Sequence, residues 1–382
     1  MSQHPEGKVI RDMPGITAGD SRSKSNLTRH LQAWLREKLA AALSASNLED
    51  LKSSVQAIRS QLEASQVSAE KIDIYRNDFA YPTIAIESVL SDLEQILAVR
   101  TMERAKYYML RLQKSTVEVK TNGINDINLN RWKDYGDIYT DSLWLFPKRD
   151  RSGAHNAWYW GNFAPQIPHQ LMLRYTRKGD WVIDMFAGSG TTLIEAMNLD
   201  RNSVGVELNP DIAIRTKNLI DSLGNASFRP RLIIDDSTSV NTSDLLRISG
   251  GQKYRLAILH PPYHDIIKFS EDARDLSLSA DVQMFVRRLE SVVSNTLKVL
   301  DAGGHIALVI GDKYQNGEIV PLGFMCMNMM LGKPLALKSI VVKNYDSTRG
   351  KRGSQDLWKY RALAGGFYLF KPEYVFIFRH RV

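Results

Sequence analysis

The amino-acid sequence predicts a three-layer α/β fold preceded by an N-terminal all-helical domain. From about residue 180, short apolar runs alternate with helical patterns, and this alternation indicates a mostly parallel sheet with helices on both faces. Before about residue 115, apolar residues recur every three or four positions, which is typical of amphipathic helices. The length of 382 residues is sufficient for two or three domains.

Changes in composition and in hydrophobic periodicity predict the domain boundaries. Residues 1–25 lack periodicity and are predicted to form a flexible arm. Residues 26–115 are predicted to form a helical bundle, and residues 116–140, which are rich in Asn, Asp and Gly, to form a linker. Residues 141–382 are then expected to form the α/β domain.

The helical region contains three apolar stripes, and Asn47 is a predicted N-cap for the second of them. The stripe positions are Leu31, Trp34, Leu35, Leu39 and Leu43; Leu48, Leu51, Val55, Ile58 and Leu62; and Ile86, Leu90, Leu93 and Leu97, with Tyr108 after a gap. The stripes predict an ordinary bundle core. The narrow second stripe also leaves open a surface for a protein partner or for self-association.

In the α/β region, each predicted strand is a short run of apolar residues that ends in a polar turn. The predicted strands are Trp181–Asp184, Ser203–Glu207, Arg231–Asp235, Arg255–Leu259, His305–Ile310, Leu335–Val342 and Tyr374–Arg379. Helices are predicted over 191–198, 210–223 and 282–300, and Pro210 suits the first position of the second helix.

Composition excludes several classes of protein. Lys and Arg outnumber Asp and Glu by 50 to 42, giving a net charge of +8 that favours an anionic partner such as a nucleic acid. The single cysteine, Cys326, excludes an internal disulfide and a multi-cysteine zinc site. No uncharged apolar run approaches the roughly 20 residues that span a bilayer, and residues 1–14 lack a secretory signal. We therefore expect a cytoplasmic protein without a membrane or metal partner.

A glycine-rich turn follows the first predicted strand of the α/β domain and precedes a helix. The segment Asp184–Thr192 contains Gly188 and Gly190, which allow close backbone approach to a ligand beside the free N–H groups of a helix N-terminus. It lacks the third glycine of the dinucleotide fingerprint. Glu207 ends the next strand, 23 positions after Asp184, where a carboxylate can accept both hydroxyls of a ribose. Asp236 follows the third strand and can reach an adenine amino group.

The fourth strand ends in Leu259-His260-Pro261-Pro262-Tyr263. Its two prolines lack N–H donors and leave carbonyl groups free to accept hydrogen bonds. The tyrosine ring that follows can lie against a planar base. The turn occupies the carboxyl end of a strand, where open sheets bind ligands.

Three segments together resemble the S-adenosylmethionine-dependent amino-methyltransferases of DNA, which methylate adenine N6 or cytosine N4. They are the Phe186–Thr192 loop, the Pro261-Pro262-Tyr263 turn and the upstream segment Trp158–Pro168. The resemblance implies a Rossmann-like class I methyltransferase sheet over roughly residues 140–382. It also implies S-adenosylmethionine as cofactor and DNA as substrate. Residues 1–120 are expected to lie outside it.

The resemblance assigns roles to individual residues. The implied cofactor-binding residues are Asn162, Phe163, Pro165, Asp184, Phe186, Gly188, Gly190, Thr191, Glu207 and Asp236. The side chain at position 260 and the Pro261 carbonyl accept the two amino hydrogens, and Tyr263 stacks on the base beside Pro262.

His260 departs from this pattern, because the family usually has Asp, Asn or Ser at that position. A neutral imidazole has one acceptor nitrogen, so the role requires that one tautomer be held and is lost below an ordinary pKa near 6.5. This departure leaves undecided whether the target base is adenine or cytosine. It also leaves open that the chain is a non-catalytic, cofactor-binding subunit that docks DNA. An RNA base methyltransferase is a further alternative.

Two segments are candidates for contacting the nucleic acid. The first is the loop His264–Ala280, which can fold over the site. The second, Lys343–Arg361, mixes basic and aromatic residues that suit phosphate contact and base stacking. Its basic residues are Lys343, Arg349, Lys351, Arg352, Lys359 and Arg361. The alternative for this segment is a solvated charged loop.

Overall fold

The structure is a computed structural model that describes residues 21–64, 85–155, 158–159, 161–223, 228, 230–345 and 355–381. The chain divides into two compact units. The helical unit comprises residues 1–122 and 127–137, and the α/β unit comprises residues 123–126 and 138–382. Most of the predicted arm, and Arg349, Lys351 and Arg352, lie outside the described residues.

Within the described residues of the helical unit, the α-helices are α1 (Ser21–Leu43), α2 (Leu48–Ala64), α3 (Ile86–Ala98) and α4 (Met102–Ser115). The Asn47 side chain accepts a hydrogen bond from the backbone N–H of Asp50, so its predicted capping role is confirmed. The predicted second stripe is buried at Leu51, Val55, Ile58 and Leu62. These helices pack around one apolar core.

The third predicted stripe is only partly correct. The buried side of α3 is centred on Val89, Leu93 and Ile96, whereas Leu90 and Leu97 are at the margin of the core. Tyr108 belongs to the separate helix α4, which begins after the Thr101 N-cap. The predicted linker also contains a 3-10 helix, Leu129–Asp134.

The α/β unit begins with a short edge strand and then alternates helices and strands. Its elements are β1 (Leu143–Phe146), α5 (Gln166–Tyr175), β2 (Trp181–Asp184), α6 (Thr191–Asn198), β3 (Asn202–Glu207), α7 (Pro210–Ser222), β4 (Arg231–Ile234), α8 (Thr242–Ile248), β5 (Tyr254–Leu259), α9 (Val282–Val299), β6 (Leu300–Ile310), β7 (Lys313–Gln315), β8 (Glu318–Val320), α10 (Leu322–Leu331), β9 (Leu335–Tyr345), α11 (Gln355–Gly365) and β10 (Glu373–His380).

Eight of the strands form one sheet in the order β1-β9-β10-β6-β5-β2-β3-β4, and β7 and β8 form a separate hairpin. Strands β4, β3, β2, β5 and β6 are parallel, whereas β10 is antiparallel to both of its neighbours. Helices α5–α7 pack on one side and α8–α10 on the other. The predicted three-layer, mostly parallel α/β fold is therefore confirmed.

The order of the strands creates a switch point between β2 and β5. From β2 the chain proceeds to β3 and β4 on one side, then returns to β5 and β6 on the other. At such a point the loops that leave neighbouring strands diverge and open a crevice at the carboxyl edge of the sheet. The loops after β2 and β5 are the two that carry the predicted motifs.

Several elements were not predicted from the sequence. They are β1, the β7–β8 hairpin and the helices α5, α8, α10 and α11. Strand β6 also begins at Leu300 rather than at His305, because Gly303 and Gly304 interrupt its apolar pattern. In the described part of the chain, no helix is long and apolar enough to cross a membrane.

Candidate active site

A cavity of about 270 Å³ opens at the carboxyl ends of β2, β3 and β5. Eleven of the predicted site residues line it: Asn162, Phe163, Phe186, Gly188, Thr191, Glu207, Asp236, His260, Pro261, Pro262 and Tyr263. Three others, Pro165, Asp184 and Gly190, are not in its lining. The fold therefore brings together segments that are about 100 residues apart in the sequence.

Two glycines shape the loop between β2 and α6. Gly190 is the N-cap of α6 and has a left-handed backbone, with φ of 79°. A Cβ atom added there would lie 2.7 Å from Thr216 Cγ2 on α7. At Gly188 an added Cβ would lie 3.0 Å from the ring of Tyr159. The glycines thus satisfy both a backbone conformation and close packing that other residues would disturb.

Asp184 supports this loop from beneath. Its side chain is 1% exposed, and Oδ1 accepts a hydrogen bond of 2.9 Å from the Phe186 N–H. Burial raises the pKa of Asp184 to about 6. The residue therefore orients the backbone of the loop rather than meeting a ligand directly.

Glu207 lies at the end of β3 and faces the same loop. Its Oε2 accepts a 2.8 Å hydrogen bond from Gly188 N–H, and its Oε1 accepts a 2.9 Å bond from Asn209 N–H. Burial raises its pKa. A carboxylate has about four acceptor positions, so roughly two remain for the hydroxyl groups of a ligand.

Two further predicted residues brace the cavity walls. Asn162 Oδ1 accepts hydrogen bonds from the Ser189 and Thr191 hydroxyls, which joins the upstream segment to the glycine loop. Asp236 accepts bonds from the backbone N–H and the hydroxyl of Thr238, at 2.8 and 2.7 Å. Both side chains line the cavity while they hold its loops in place.

The His260 ring packs against Phe163, with 4.7 Å between ring centroids. Its Nε2 lies 3.1 Å from the Tyr263 hydroxyl. Burial lowers the pKa of His260 to about 4. The pKa is thus well below the value near 6.5 of an unperturbed histidine, and the ring is neutral at physiological pH.

The Tyr263 hydroxyl donates a 2.9 Å hydrogen bond to Glu373 Oε1 at the start of β10. The other oxygen of Glu373 accepts a 2.5 Å bond from Lys343 Nζ on β9. Lys343 is only 4% exposed, so its ammonium group is not presented to a phosphate as the sequence predicts. It instead compensates the charge of a carboxylate that lines the cavity.

The loop from His264 to Ala280 borders the cavity, in the position predicted for it. Phe269 packs against Tyr159 at 5.8 Å between ring centroids, and Phe269, Arg274 and Asp275 line the cavity. His264 anchors the loop, because its Nε2 lies 2.9 Å from the Ser279 carbonyl oxygen. The loop is thus ordered against the site by its own side chains.

The segment Lys343–Arg361 has regular secondary structure at both of its ends. Strand β9 extends to Tyr345, and helix α11 starts at Gln355. Lys359 and Arg361 are exposed on α11. These two residues, together with the three basic residues outside the described part, keep their phosphate-binding role as a prediction.

Some cavity residues lie outside every segment that the sequence singled out, among them Ser237 and Glu373. Glu373 lies 110 positions after Tyr263 and is adjacent to it only because β10 inserts between β6 and β9. Its one sequence signal is an acidic residue at the start of an apolar strand. Among the described residues, no cluster of His, Cys, Asp and Glu side chains is arranged to hold a metal ion.

Comparison with known proteins adds independent information. A DNA methylase family model, for N6 and N4 methylases, matches residues 62–217. The type II methyltransferase M.BglI of Bacillus subtilis is 31% identical over 96 residues, which are 25% of this chain and 26% of that protein. M.MjaII of Methanocaldococcus jannaschii is 42% identical over 52 residues, 14% of this chain and 10% of its own length.

The predicted resemblance to the N6-adenine and N4-cytosine DNA methylases is thereby confirmed. The family match starts at residue 62, so the expectation that residues 1–120 lie outside the resemblance is wrong, and the match ends before His260. The chain spans only about a quarter of the M.BglI length. A solved methyltransferase from Pyrococcus furiosus is 11% identical with a TM-score of 0.37, covering 58% of this chain and 84% of that one, which is too distant to bear on function.

Proposed function

We propose that this chain transfers a methyl group from S-adenosylmethionine to an exocyclic amino group of a DNA base, adenine N6 or cytosine N4. One observation carries the proposal. The glycine loop, Glu207 and the turn His260–Tyr263 line a single cavity at the switch point of the sheet. The sequence similarity to DNA methylases supports the same assignment.

The cofactor end of the cavity has the chemistry that a nucleoside requires. Glu207 retains acceptor positions for two ribose hydroxyls, and Gly188 of the glycine loop lines the same cavity. Asp236 lines the cavity, and its carboxylate is our candidate acceptor for an adenine amino group. S-adenosylmethionine, when bound, supplies an electrophilic methyl group on a positively charged sulfur.

The target end contains acceptors for an amino group. An exocyclic amino nitrogen is a poor nucleophile because its lone pair is conjugated into the base. The His260 ring and the Pro261 carbonyl accept its two hydrogens, which directs the lone pair towards the methyl group. With the cofactor bound, methyl transfer would leave the amino nitrogen with one excess proton, and these two acceptors would receive that proton.

In duplex DNA the target base has to leave the stack, at a cost of a few kcal/mol. Tyr263 lines the cavity and its ring is available to stack on the base. Stacking on an aromatic ring returns about 1–3 kcal/mol, as measured for single strands. The site thus compensates part of the extrusion cost.

The test uses the purified full chain, S-adenosylmethionine with a labelled methyl group, and duplex DNA or RNA as acceptor. We expect label in DNA, recovered as N6-methyladenine or N4-methylcytosine after digestion to nucleosides. Label in RNA alone would assign the RNA alternative. Cofactor binding without transfer to either polymer would leave a non-catalytic DNA-docking subunit.

The matched variants are His260→Ala and His380→Ala. We expect His260→Ala to lower the single-turnover rate about 100-fold, the effect of losing one oriented transition-state hydrogen bond. His380 ends β10, which runs antiparallel to β6, so it lies at the opposite edge of the sheet and its replacement should not change the rate. An equal effect of both variants would remove His260 from the mechanism.

A further inference from the structure

A chain of hydrogen bonds connects a buried lysine to the proposed target acceptor. Lys343 Nζ donates to Glu373 Oε2 at 2.5 Å, and the Tyr263 hydroxyl donates to Glu373 Oε1 at 2.9 Å. The Tyr263 oxygen is in turn 3.1 Å from His260 Nε2. These groups come from β9, β10 and the turn after β5, so the chain crosses three segments of the sheet.

The protons along this chain have a fixed direction. An ionised carboxylate only accepts hydrogen bonds, and a lysine ammonium only donates them. Burial is the largest influence and opposes the charge of Glu373, but the nearby Lys343 ammonium and the hydrogen bonds from Lys343 and Tyr263 act together against it. The net effect lowers the pKa of Glu373, which is therefore ionised. Tyr263 has one hydroxyl proton, and it donates this proton in a hydrogen bond to Glu373.

The order of donors and acceptors in these hydrogen bonds determines the histidine tautomer. Because the Tyr263 proton points at Glu373, its oxygen can only accept from His260, and Nε2 therefore carries the imidazole proton. A neutral imidazole has one N–H, so Nδ1 keeps its lone pair. His260 lines the cavity, and no hydrogen-bond partner of Nδ1 occurs in the described part of the chain.

We propose that Glu373 and Lys343 are positioning residues that hold His260 with its proton on Nε2, so that Nδ1 accepts a hydrogen from the target amino group. This inference rests on the proposed function of His260. It explains how a histidine meets the tautomer requirement at a position where related enzymes have Asp, Asn or Ser. It also gives Lys343 a role inside the protein rather than at its surface.

The decisive variant is Glu373→Gln, which keeps the size of the side chain and removes its charge. The amide oxygen of the glutamine is expected to face Lys343, which needs an acceptor, and its NH₂ group then faces Tyr263. Tyr263 would accept from the amide and donate its own proton to His260 Nε2. The variant should therefore move the imidazole proton to Nδ1, without a large change in structure.

The tautomer can be measured without DNA or cofactor. Long-range proton–nitrogen correlation spectra of protein labelled with ¹⁵N-histidine distinguish protonated from unprotonated ring nitrogens. The chain has 8 histidines, and the His260 signals are those that disappear in His260→Asn. We expect the proton on Nε2 in the parent and on Nδ1 in Glu373→Gln. Tyr263→Phe keeps the ring but removes the hydroxyl that links Glu373 to His260. This variant should lose the preference for the proton on Nε2.

A kinetic cycle separates positioning from a merely structural effect. We expect Glu373→Gln to lower the single-turnover methylation rate about 100-fold while cofactor affinity is unchanged. In the His260→Asn background the acceptor is an amide oxygen that has no tautomer to set, so Glu373→Gln should cost less than threefold. Tyr374→Phe is the control, because its hydroxyl also lies near a carboxylate, Asp312, at 3.3 Å. It should leave the tautomer and the rate unchanged.

The outcomes are distinguishable from those of the proposed function. A parent protein with the proton on Nδ1, or an equal rate loss from Glu373→Gln in both backgrounds, overturns the positioning role. If the parent methylates no nucleic acid, the proposed function fails, and the spectra alone decide whether the chain fixes the tautomer.

Discussion

Close packing at Gly190 gives a prediction that can be worked through in energy terms. Gly190 and Gly179 have nearly equal φ angles, of 79° and 81°. An added Cβ at Gly179 meets nothing within 4 Å, whereas at Gly190 it would lie 2.7 Å from Thr216 Cγ2. Alanine at Gly179 should therefore cost only the left-handed conformation, about 1–2 kcal/mol. At Gly190 overpacking adds about 1–3 kcal/mol to that cost.

Thr216→Ser removes the methyl group that causes the clash. The serine keeps the hydroxyl that donates a 2.8 Å hydrogen bond to the Gly188 carbonyl. Alone it should cost about 1 kcal/mol for the lost buried methyl. Combined with Gly190→Ala it should relieve the overpacking, so that the two changes couple by about 1–3 kcal/mol.

The measurement is the free energy of unfolding in urea for the parent, both alanine variants, Thr216→Ser and the double variant. Cofactor binding by calorimetry should follow the same order, because the clash displaces the glycine loop. Equal destabilisation by Gly190→Ala and Gly179→Ala would refute the reasoning. Strict additivity in the double variant would also refute it, since Thr216 would then not be the obstacle.

Three further predictions concern charge. The pKa of Asp184 in the folded protein, about 6, is above its unfolded value, so the folded state binds more protons between about pH 4 and 6 and stability falls as pH rises through that window. Asp184→Asn should remove this dependence. If the free energies of unfolding of parent and variant change equally from pH 4 to 7, burial does not raise this pKa. Glu207→Gln should weaken binding of S-adenosylhomocysteine by about 1.5–3 kcal/mol, the usual contribution of a hydrogen bond to a charge; unchanged calorimetric affinity would place the ribose elsewhere. Neutralising Arg349, Lys351 and Arg352 together should flatten the dependence of log K for duplex DNA on log salt by about 0.9 per lost contact, and an unaltered slope would leave the segment a solvated surface.

The sequence was informative for functional residues that come at the end of a buried strand or directly after it. The strand Trp181–Asp184 and the loop after it were predicted correctly, because four apolar or buried positions followed by glycines have few other structures. Glu207 and His260 were identified for the same reason. Glu207 ends β3 and His260 directly follows β5, and the carboxyl ends of parallel strands meet at one edge.

The missed residues depend on contacts across long stretches of chain. Glu373 reaches Tyr263 only because β10 enters the sheet antiparallel between β6 and β9. Lys343 was assigned to the surface from its basic neighbours, but the alternation along β9 directs it inwards, where Glu373 compensates its charge. A local pattern gives the period of a strand, not which of its two faces is covered.

The charges around position 260 explain why a neutral acceptor suits this chain. Glu373 already places one carboxylate two hydrogen bonds from the His260 ring, and Lys343 compensates only that charge. A second carboxylate at position 260 would face Glu373 in a buried site, and two like charges there raise the pKa of one of them. We therefore expect His260→Asp, although it introduces a residue typical of the family, to methylate more slowly than His260→Asn. Single-turnover rates of the two variants at pH 7 test this expectation. An aspartate variant as fast as the asparagine variant would mean that Glu373 does not influence the charge at position 260.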